Sequence, residues 1–376
     1  MHAEKTGNCP RAKTKLPDKH FPPTMKPLLL SSPYSPPSTP PQPVITNIEF
    51  REPKTMPSLF ALILLGCTAA LSAAEALSPA KATSSVELAY GTDPVQRIQL
   101  IQAVSKEPTP LLIFIHGGGW VGRSSHTNCP DFLLKPLLKA GISVASITYR
   151  LLDEAQRDGV FPPVKAPMTD AARALQWIRS RSKELNIDKA RIGVSGGSAG
   201  ACTALWLALH DDLADPKSAD PVARESTRVL FALAMDPQTT LDPAQMKAWI
   251  PNINYGGHAF GIGKGVNGKP PVLTSGQFAQ DSETFLARRE ELLPLIQDYS
   301  PYSLLTPDDP PLYLLQKVKS VPGQPEKDPT HSPQFGIHFA KKAEAVGVRC
   351  ELNYFGGPAV EHPNPWDFVI QAFARH

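Results

Sequence analysis

Two serines three residues apart sit in the same local pattern. Gly193-Val194-Ser195-Gly196-Gly197 reads G-x-S-x-G, and so does Gly196-Gly197-Ser198-Ala199-Gly200. A serine hydroxyl attacks a carbonyl only with help. A neighbouring base must take its proton, an acid must orient that base, and N–H donors must stabilise the oxyanion that forms. The pentapeptide suits a sharp, strained strand-to-helix turn, which leaves room only for small residues two before and two after the serine. Both serines meet that size rule, and their surroundings separate them. A helix following Ser195 would begin with Gly196, Gly197 and Ser198, all weak helix formers. A helix following Ser198 begins at Ala199 and runs directly into "GACTALWLALH". Ser198 is therefore the expected nucleophile and Ser195 the last residue of the strand.

The elements around this turn follow from hydrophobic patterning. "LLIFIH" and "ISVASITYR" are short apolar runs suited to strands buried on both faces. "RIGVSG", "RVLFALAMD", "PLYLLQKV" and "VRCELNYF" read as further strands. "PDFLLKPLLKAG", "AGACTALWLALH", "PQFGIHFAKKAEAVG" and "PWDFVIQAFARH" read as helices, and so does "DAARALQWIRSRSKEL" with Asp170 as its N-cap. Alternating strands and helices predict an α/β fold, a mainly parallel sheet covered by helices on both faces. One segment, at about residues 237–300, is too long for a simple connection. It reads as an insertion over the carboxyl ends of the strands, where such sheets bind ligands. Its Trp249, Tyr255, His258 and Phe260 are candidate substrate-pocket walls, with ordinary packing the alternative for each. After the first apolar strand, "FIHGGGW" at residues 114–120 supplies three consecutive glycines. They let the backbone approach a substrate closely and turn its N–H groups toward it.

Taken together, "HGGGW", "TYRL", "GGSAG" and the C-terminal "GGPAVEH" resemble the α/β-hydrolase esterases. The likeness is to the hormone-sensitive-lipase-like and acetyl or feruloyl esterase-like branches, and it runs from about "VELAYGTDPVQRIQL" to the C-terminus. The resemblance implies an oxyanion hole from the N–H groups of Gly118, Gly119 and Ala199. Gly117 would shape the turn and His116 would hold the loop. It also implies the chain order serine, acid, histidine, with the base after the last strand. "ELNYFGGPAVEHPNPW" ends a strand at Phe355, turns at Gly356-Gly357 and presents His362, the expected base. His376 is terminal, His338 lies within a helix and His258 in the insertion. The acid should fall between "PLYLLQKV" and the helix that follows it. Asp328 in "EKDPTHSP" is the expected residue, with Glu326 as runner-up. Asp308 and Asp309 precede the strand and belong at its other end. The implied activity is serine carboxylic-ester hydrolysis through an acyl-serine, on short-chain acyl or carbohydrate-linked esters. It requires neither metal nor organic cofactor. A catalytically inactive hydrolase fold used for binding, or an amidase or peptidase of the same fold, is the alternative.

Composition bounds the partners and the compartment. The chain has 376 residues, 41 prolines, five cysteines and a formal net charge of +3. So small a charge, with no basic run, gives no case for nucleic-acid binding. Residues 1–55 are Pro-rich and read as a disordered extension upstream of the true start. Residues 56–76 resemble a signal peptide, with an apolar run at 59–71 too short for a comfortable membrane span. Small residues follow, in "SAA" before Glu75 and "AEA" before Leu77. Export is the expectation, although "MPS" carries no Lys or Arg. "LLGC", ending at Cys67, makes a lipid anchor the alternative. The hydrolase domain is then 77–376. Its Cys129, Cys202 and Cys350 form neither a disulfide framework nor a C-x-x-C metal site, and Cys202 reads as a small core residue.

Overall fold

Residues 85–123, 128–265, 272–274, 278–321 and 323–376 are described by a computed structural model. The chain divides into the units Met1–Ala74 and Glu75–His376. The Pro-rich stretch, the apolar run and Cys67 lie outside the described residues.

Strand β3, Thr109–Ile115, shows how this sequence makes a two-sided sheet. Leu111, Ile113 and Ile115 enter one core, and Leu112 and Phe114 enter the other. Strand β6, Ala232–Met235, divides in the same way, with Ala232 and Ala234 on one face and Leu233 and Met235 on the other. The remaining strands of the sheet are β1 (Ser85–Ala89), β2 (Arg97–Ile101), β4 (Ser143–Ile147), β5 (Ile187–Gly197), β9 (Leu312–Gln316) and β10 (Cys350–Tyr354). Their order is β1-β2-β4-β3-β5-β6-β9-β10. Strand β2 pairs antiparallel with β1 and β4, and every pairing from β4 across to β10 is parallel. The carboxyl ends of the central strands therefore share one edge, where a doubly covered parallel sheet places its ligands.

Helices α1 (Asp131–Lys139) and α10 (Pro365–Ala374) cover one face, through Leu133, Leu137, Phe368, Val369 and Phe373. On the other face lie α2 (Leu152–Arg157), α3 (Lys165–Ser180), α4 (Ala199–Leu209) and α9 (Gln334–Val346). Every residue of α4 is buried, as a helix apolar on every side apart from Thr203 requires, and the Thr203 hydroxyl donates to the Ala199 carbonyl. Burying each of its leucines stabilises the fold by roughly 1.5–3 kcal/mol. Cys202 sits in that packing, fully buried.

The sequence differs from the structure in local respects, and the helix expected to run through Leu185 ends at Ser180. Asp170 does not cap a helix, because α3 begins five residues earlier. Its buried carboxylate instead takes the Arg150 guanidinium, at 2.7 and 3.0 Å, and the Gln96 amide at 2.8 Å. Strand β5 continues past Ser195 to Gly197. Phe355 lies beyond β10 and is exposed.

The insertion, between β6 and β9, folds into short pieces. They are α5 (Pro243–Trp249), a 3-10 turn (Gly257–Phe260), a ribbon of β7 (Lys264–Gly265) and β8 (Phe278–Ala279), then α6 (Ser282–Ala287), α7 (Arg289–Tyr299) and α8 (Pro301–Leu304). Asp242 ties its start to α7, accepting from the Ala244 N–H at 2.9 Å and from the Arg289 guanidinium at two distances of 2.7 Å. Among the described residues no helix is long and apolar enough to cross a membrane.

Candidate active site

Ser198 stands between β5 and α4 with φ 52° and ψ −123°. A non-glycine residue holds such a conformation only where its surroundings over-determine it, and here the glycines do so. A Cβ on Gly196 would lie 2.3 Å from the Gly200 carbonyl oxygen, and one on Gly200 would lie 2.1 Å from that of Ile115. The two flanks of Ser198 must therefore be glycine. The pattern around Ser195 has no such meaning at its second flank, since a Cβ on Gly197 would meet nothing within 4 Å. Ser195 is fully buried within β5, opposite Phe114 and Leu233, and its Oγ has no hydrogen-bond partner.

The side chain that meets Ser198 is His331. Its Nε2 lies 2.8 Å from Ser198 Oγ, and its Nδ1 lies 2.7 Å from Asp328 Oδ2. An ionised Asp328 accepts from Nδ1–H, which leaves Nε2 free to accept the serine proton. Pro329 begins the single 3-10 turn Pro329–His331 that folds the imidazole back onto the carboxylate. The connection carrying both residues is pinned on several sides. The Gln238 amide donates to the Thr330 carbonyl at 2.8 Å. Glu326 Oε1 accepts from Ser320 and Ser332 at 2.7 and 2.9 Å. Asp236, itself at φ 51°, accepts from the Lys317 N–H at 2.6 Å. The structure thus joins Asp328 to the imidazole and gives Glu326 a different task, that of bracing the loop.

His362, the expected base, is not brought to Ser198. Its Nδ1 lies 2.9 Å from Glu351 Oε1, its N–H donates to Glu351 Oε2 at 3.1 Å, and its carbonyl accepts from Tyr313 at 2.7 Å. These bonds fasten the chain after β10 back onto that strand. The physical reason is Glu351, a carboxylate on β10 that captures the ring before it can reach the elbow. Glu351, Glu361 and His362 place three potential ligand atoms within 4.8 Å of one another. Arg349 pairs with both carboxylates, at 3.1 and 2.9 Å. His331 lies before the last strand, outside the triad order that points to the final loop. The available signal was local: Asp-x-x-His with proline after the acid, a spacing that closes a carboxylate onto an imidazole within one turn.

The glycine loop passes directly over the elbow. A Cβ on Gly117 would lie 2.7 Å from the Gly197 carbonyl oxygen and 3.2 Å from Ser198 Cβ. Gly118 and Gly119 hold φ of 108° and 62°, open to glycine at little cost. Ala199 is the first residue of α4, so its N–H has no partner within the helix. His116 holds the loop as expected of its position. Its Nδ1 donates to the Gly117 carbonyl at 2.7 Å, its ring stacks on Tyr149 at 4.3 Å, and its carbonyl accepts from the Tyr149 hydroxyl. Burial lowers its pKa.

A cleft of about 470 Å³ opens at Ser198, walled by Phe114, Phe132, Met235 and Val318, with Asn128, Asp236 and Lys317 as polar points. None of the four aromatic candidates of the insertion lines it. Trp249 stacks on His338 at 4.4 Å and faces a separate cavity of about 440 Å³. Phe260 is buried against Phe285. Tyr255 and His258 are buried behind the glycine loop, where His258 meets Gly119. The apolar size that suggested pocket walls instead packs the insertion against itself, against α9 and against the back of the glycine loop.

A parallel sheet with a strained serine elbow, a glycine loop above it and a histidine–aspartate pair against the hydroxyl defines an α/β-hydrolase. Residues 98–322, more than half of the chain, match the family model described as BD-FAE, and the chain belongs to that family. Carboxylesterase NlhH of Mycobacterium tuberculosis (strain ATCC 25618 / H37Rv) is 32% identical over 114 residues, 30% of this chain. The chain spans only 33% of that relative's length. Among solved structures, the acetyl ester-xyloside bifunctional hydrolase from Caldicellulosiruptor lactoaceticus superposes with a TM-score of 0.51 at 23% identity, covering 78% of this chain and 93% of that one. A propionate-bound esterase from Thermogutta terrifontis gives 0.51 at 20% identity, covering 77% and 92%. At these identities the likeness is one of fold.

Proposed function

We propose that this protein is a serine carboxylic-ester hydrolase that works through an acyl-serine. The observation that carries the reading is the unbroken relay Ser198 Oγ, His331 Nε2, His331 Nδ1, Asp328 Oδ2, at 2.8 and 2.7 Å. His331 takes the proton of Ser198 as the oxygen attacks the ester carbonyl, and Asp328 stabilises the imidazolium. The N–H groups of Gly118, Gly119 and Ala199 receive the negative charge of the tetrahedral intermediate. Collapse expels the alcohol, protonated by His331, and water then repeats the sequence to release the acid. A relay complete at every member favours this reading over an inactive binding fold.

The apolar walls of the cleft suit a short acyl chain. Its polar points, Asn128, Asp236 and Lys317, suit a hydroxylated alcohol such as a sugar. The name of the Caldicellulosiruptor neighbour, an acetyl ester-xyloside hydrolase, agrees with that class. Export, through the apolar run at 59–71 and the small residues after it, belongs to the same proposal. Fluorophosphonate labelling, followed by an ester panel from acetyl to octanoyl and including acetylated xylosides, tests the activity. A folded protein that takes no label and cleaves no ester would sink it. N-terminal sequencing of secreted protein tests export, which an intact residue 1 would overturn.

A further inference from the structure

The insertion delivers one buried histidine to the back of the glycine loop. His258 lies on the 3-10 turn Gly257–Phe260, between Gly256 and Gly261, both in the left-handed region at φ 96° and 75°. It is 1% exposed. Its Nε2 lies 3.1 Å from the carbonyl oxygen of Gly119, and its Nδ1 lies 2.8 Å from the Gln280 amide nitrogen. Nδ1 also lies 3.2 Å from Gln280 Oε1, and for a neutral ring one proton arrangement satisfies the contacts: Nε2–H donates to Gly119 while Nδ1 accepts from the Gln280 amide. Tyr255 packs edge-on against the ring at 4.8 Å, and Trp120 lies 6.0 Å away. Burial lowers the His258 pKa to about 4, so the neutral imidazole is the form that holds this contact near neutral pH.

The contact falls on a residue with unusual freedom. Gly119 sits at φ 62° without a side chain to restrict it. Its neighbour Trp120 is anchored through the indole N–H to Thr203 of α4 at 3.0 Å. The Gly117 carbonyl accepts from His116 Nδ1, and the Gly118 carbonyl from the Val121 and Gly122 N–H groups at 3.1 and 3.2 Å, so a donor to the Gly119 carbonyl fixes the next peptide of the loop. We propose that His258, oriented by Gln280, is a positioning residue of the oxyanion hole. It holds the Gly118–Gly119 backbone in the geometry that offers its N–H groups to the tetrahedral intermediate. The inference rests on the hydrolase reading above. An ester oxygen carries full charge only in the intermediate, so slack in these donors slows turnover without weakening substrate binding.

The test uses the full chain and p-nitrophenyl acetate, after wild type has been shown to hydrolyse it and to take a fluorophosphonate label. In His258→Leu the donor is lost. His258→Gln places an amide N–H where Nε2–H stood, and Gln280→Met removes the group that sets the tautomer. His258→Leu should lose about 10- to 100-fold in kcat with KM within about twofold, the scale of a misaligned oxyanion donor. His258→Gln should recover most of that loss, and Gln280→Met should fall between. Inhibition by an alkylboronic acid, which forms a tetrahedral serine adduct, should weaken in step with kcat. Unchanged kcat in His258→Leu, equal losses in the Leu and Gln variants, or a loss confined to KM would overturn the proposal. If His258→Leu does not fold, Gln280→Met at a half-buried position decides alone, and wild-type kcat and boronate affinity would overturn it. A wild type without ester hydrolysis or label overturns the hydrolase reading and this inference together. An active wild type with indifferent variants overturns only the inference.

Discussion

Ser195 and Ser198 carry the same side chain in the same pentapeptide, and their surroundings give them different tasks. At Ser198 the flanking glycines force a left-handed turn that lifts the hydroxyl to His331. At Ser195 the strand continues and the hydroxyl is buried without a partner. Ser198→Ala should therefore abolish ester hydrolysis, a loss of about 10⁴-fold or more. Ser195→Ala should keep turnover and hold or raise stability by up to about 1 kcal/mol, because it removes an unsatisfied buried hydroxyl. Turnover and urea midpoints measured together check this, and the reverse ranking would mean the wrong elbow. The two histidines make a second pair. His331→Gln should cost turnover on the scale of a lost base while the protein stays folded. His362→Gln should leave turnover nearly intact and destabilise by about 1–3 kcal/mol, since it weakens the pairing with Glu351. If His362→Gln alone silences a folded enzyme, the base assignment moves to the final loop.

At the scale of elements, the connection from β9 to α9 carries both Asp328 and His331, and its fixings explain what the sequence made legible. The central strands β3, β4 and β6 show as apolar runs, because a strand buried on both faces cannot be otherwise, whereas β10, half-buried along its length, carries Glu351 and Asn353 between its less polar residues. Asp328 was legible because its place before a helix is a matter of chain order. The contact of His331 with Ser198 and Asp328 was not, because the resemblance puts the base after the last strand and only the turn begun by Pro329 folds this imidazole onto that carboxylate. Asp170 misled for a related reason. A carboxylate suits a helix start, but here a half-buried arginine just beyond β4 claims it. These fixings separate Asp328 from Glu326. Asp328→Asn should lower kcat by about 10³- to 10⁴-fold with the fold intact, because the imidazole loses its orienting charge. Glu326→Gln touches only the bracing of the loop, through Ser320 and Ser332, and should cost much less. Equal losses in kcat, with thermal stability monitored in parallel, would show that Glu326 shares the orienting role.

On the scale of the whole molecule, the insertion is built as a support rather than a wall. Its aromatic residues pack against one another and against α9 and the glycine loop, and it meets the Gly119 carbonyl through a buried histidine. That burial has a thermodynamic consequence. Burial lowers the His258 pKa in the folded protein to about 4, against 6.5 for the ordinary side chain. Between these values the unfolded chain binds the proton more readily than the folded one, so folding stability rises with pH across that window. The contribution is fully present above pH 6.5 and is lost as pH falls toward 4. A shift of this size corresponds to about 2–3 kcal/mol between pH 7 and pH 4.5. Asp309 acts in the opposite sense, because partial burial raises its carboxyl to about 6 and its charge costs stability as pH climbs through that range. The absolute pH profile therefore mixes the two, and the difference between wild type and His258→Gln isolates one. Urea unfolding at pH 7 and at pH 4.5 should show wild type losing about 2–3 kcal/mol more than the variant. Parallel losses in both would mean that protonated His258 is accommodated in the folded state, and that the contact to Gly119 survives with a charged ring.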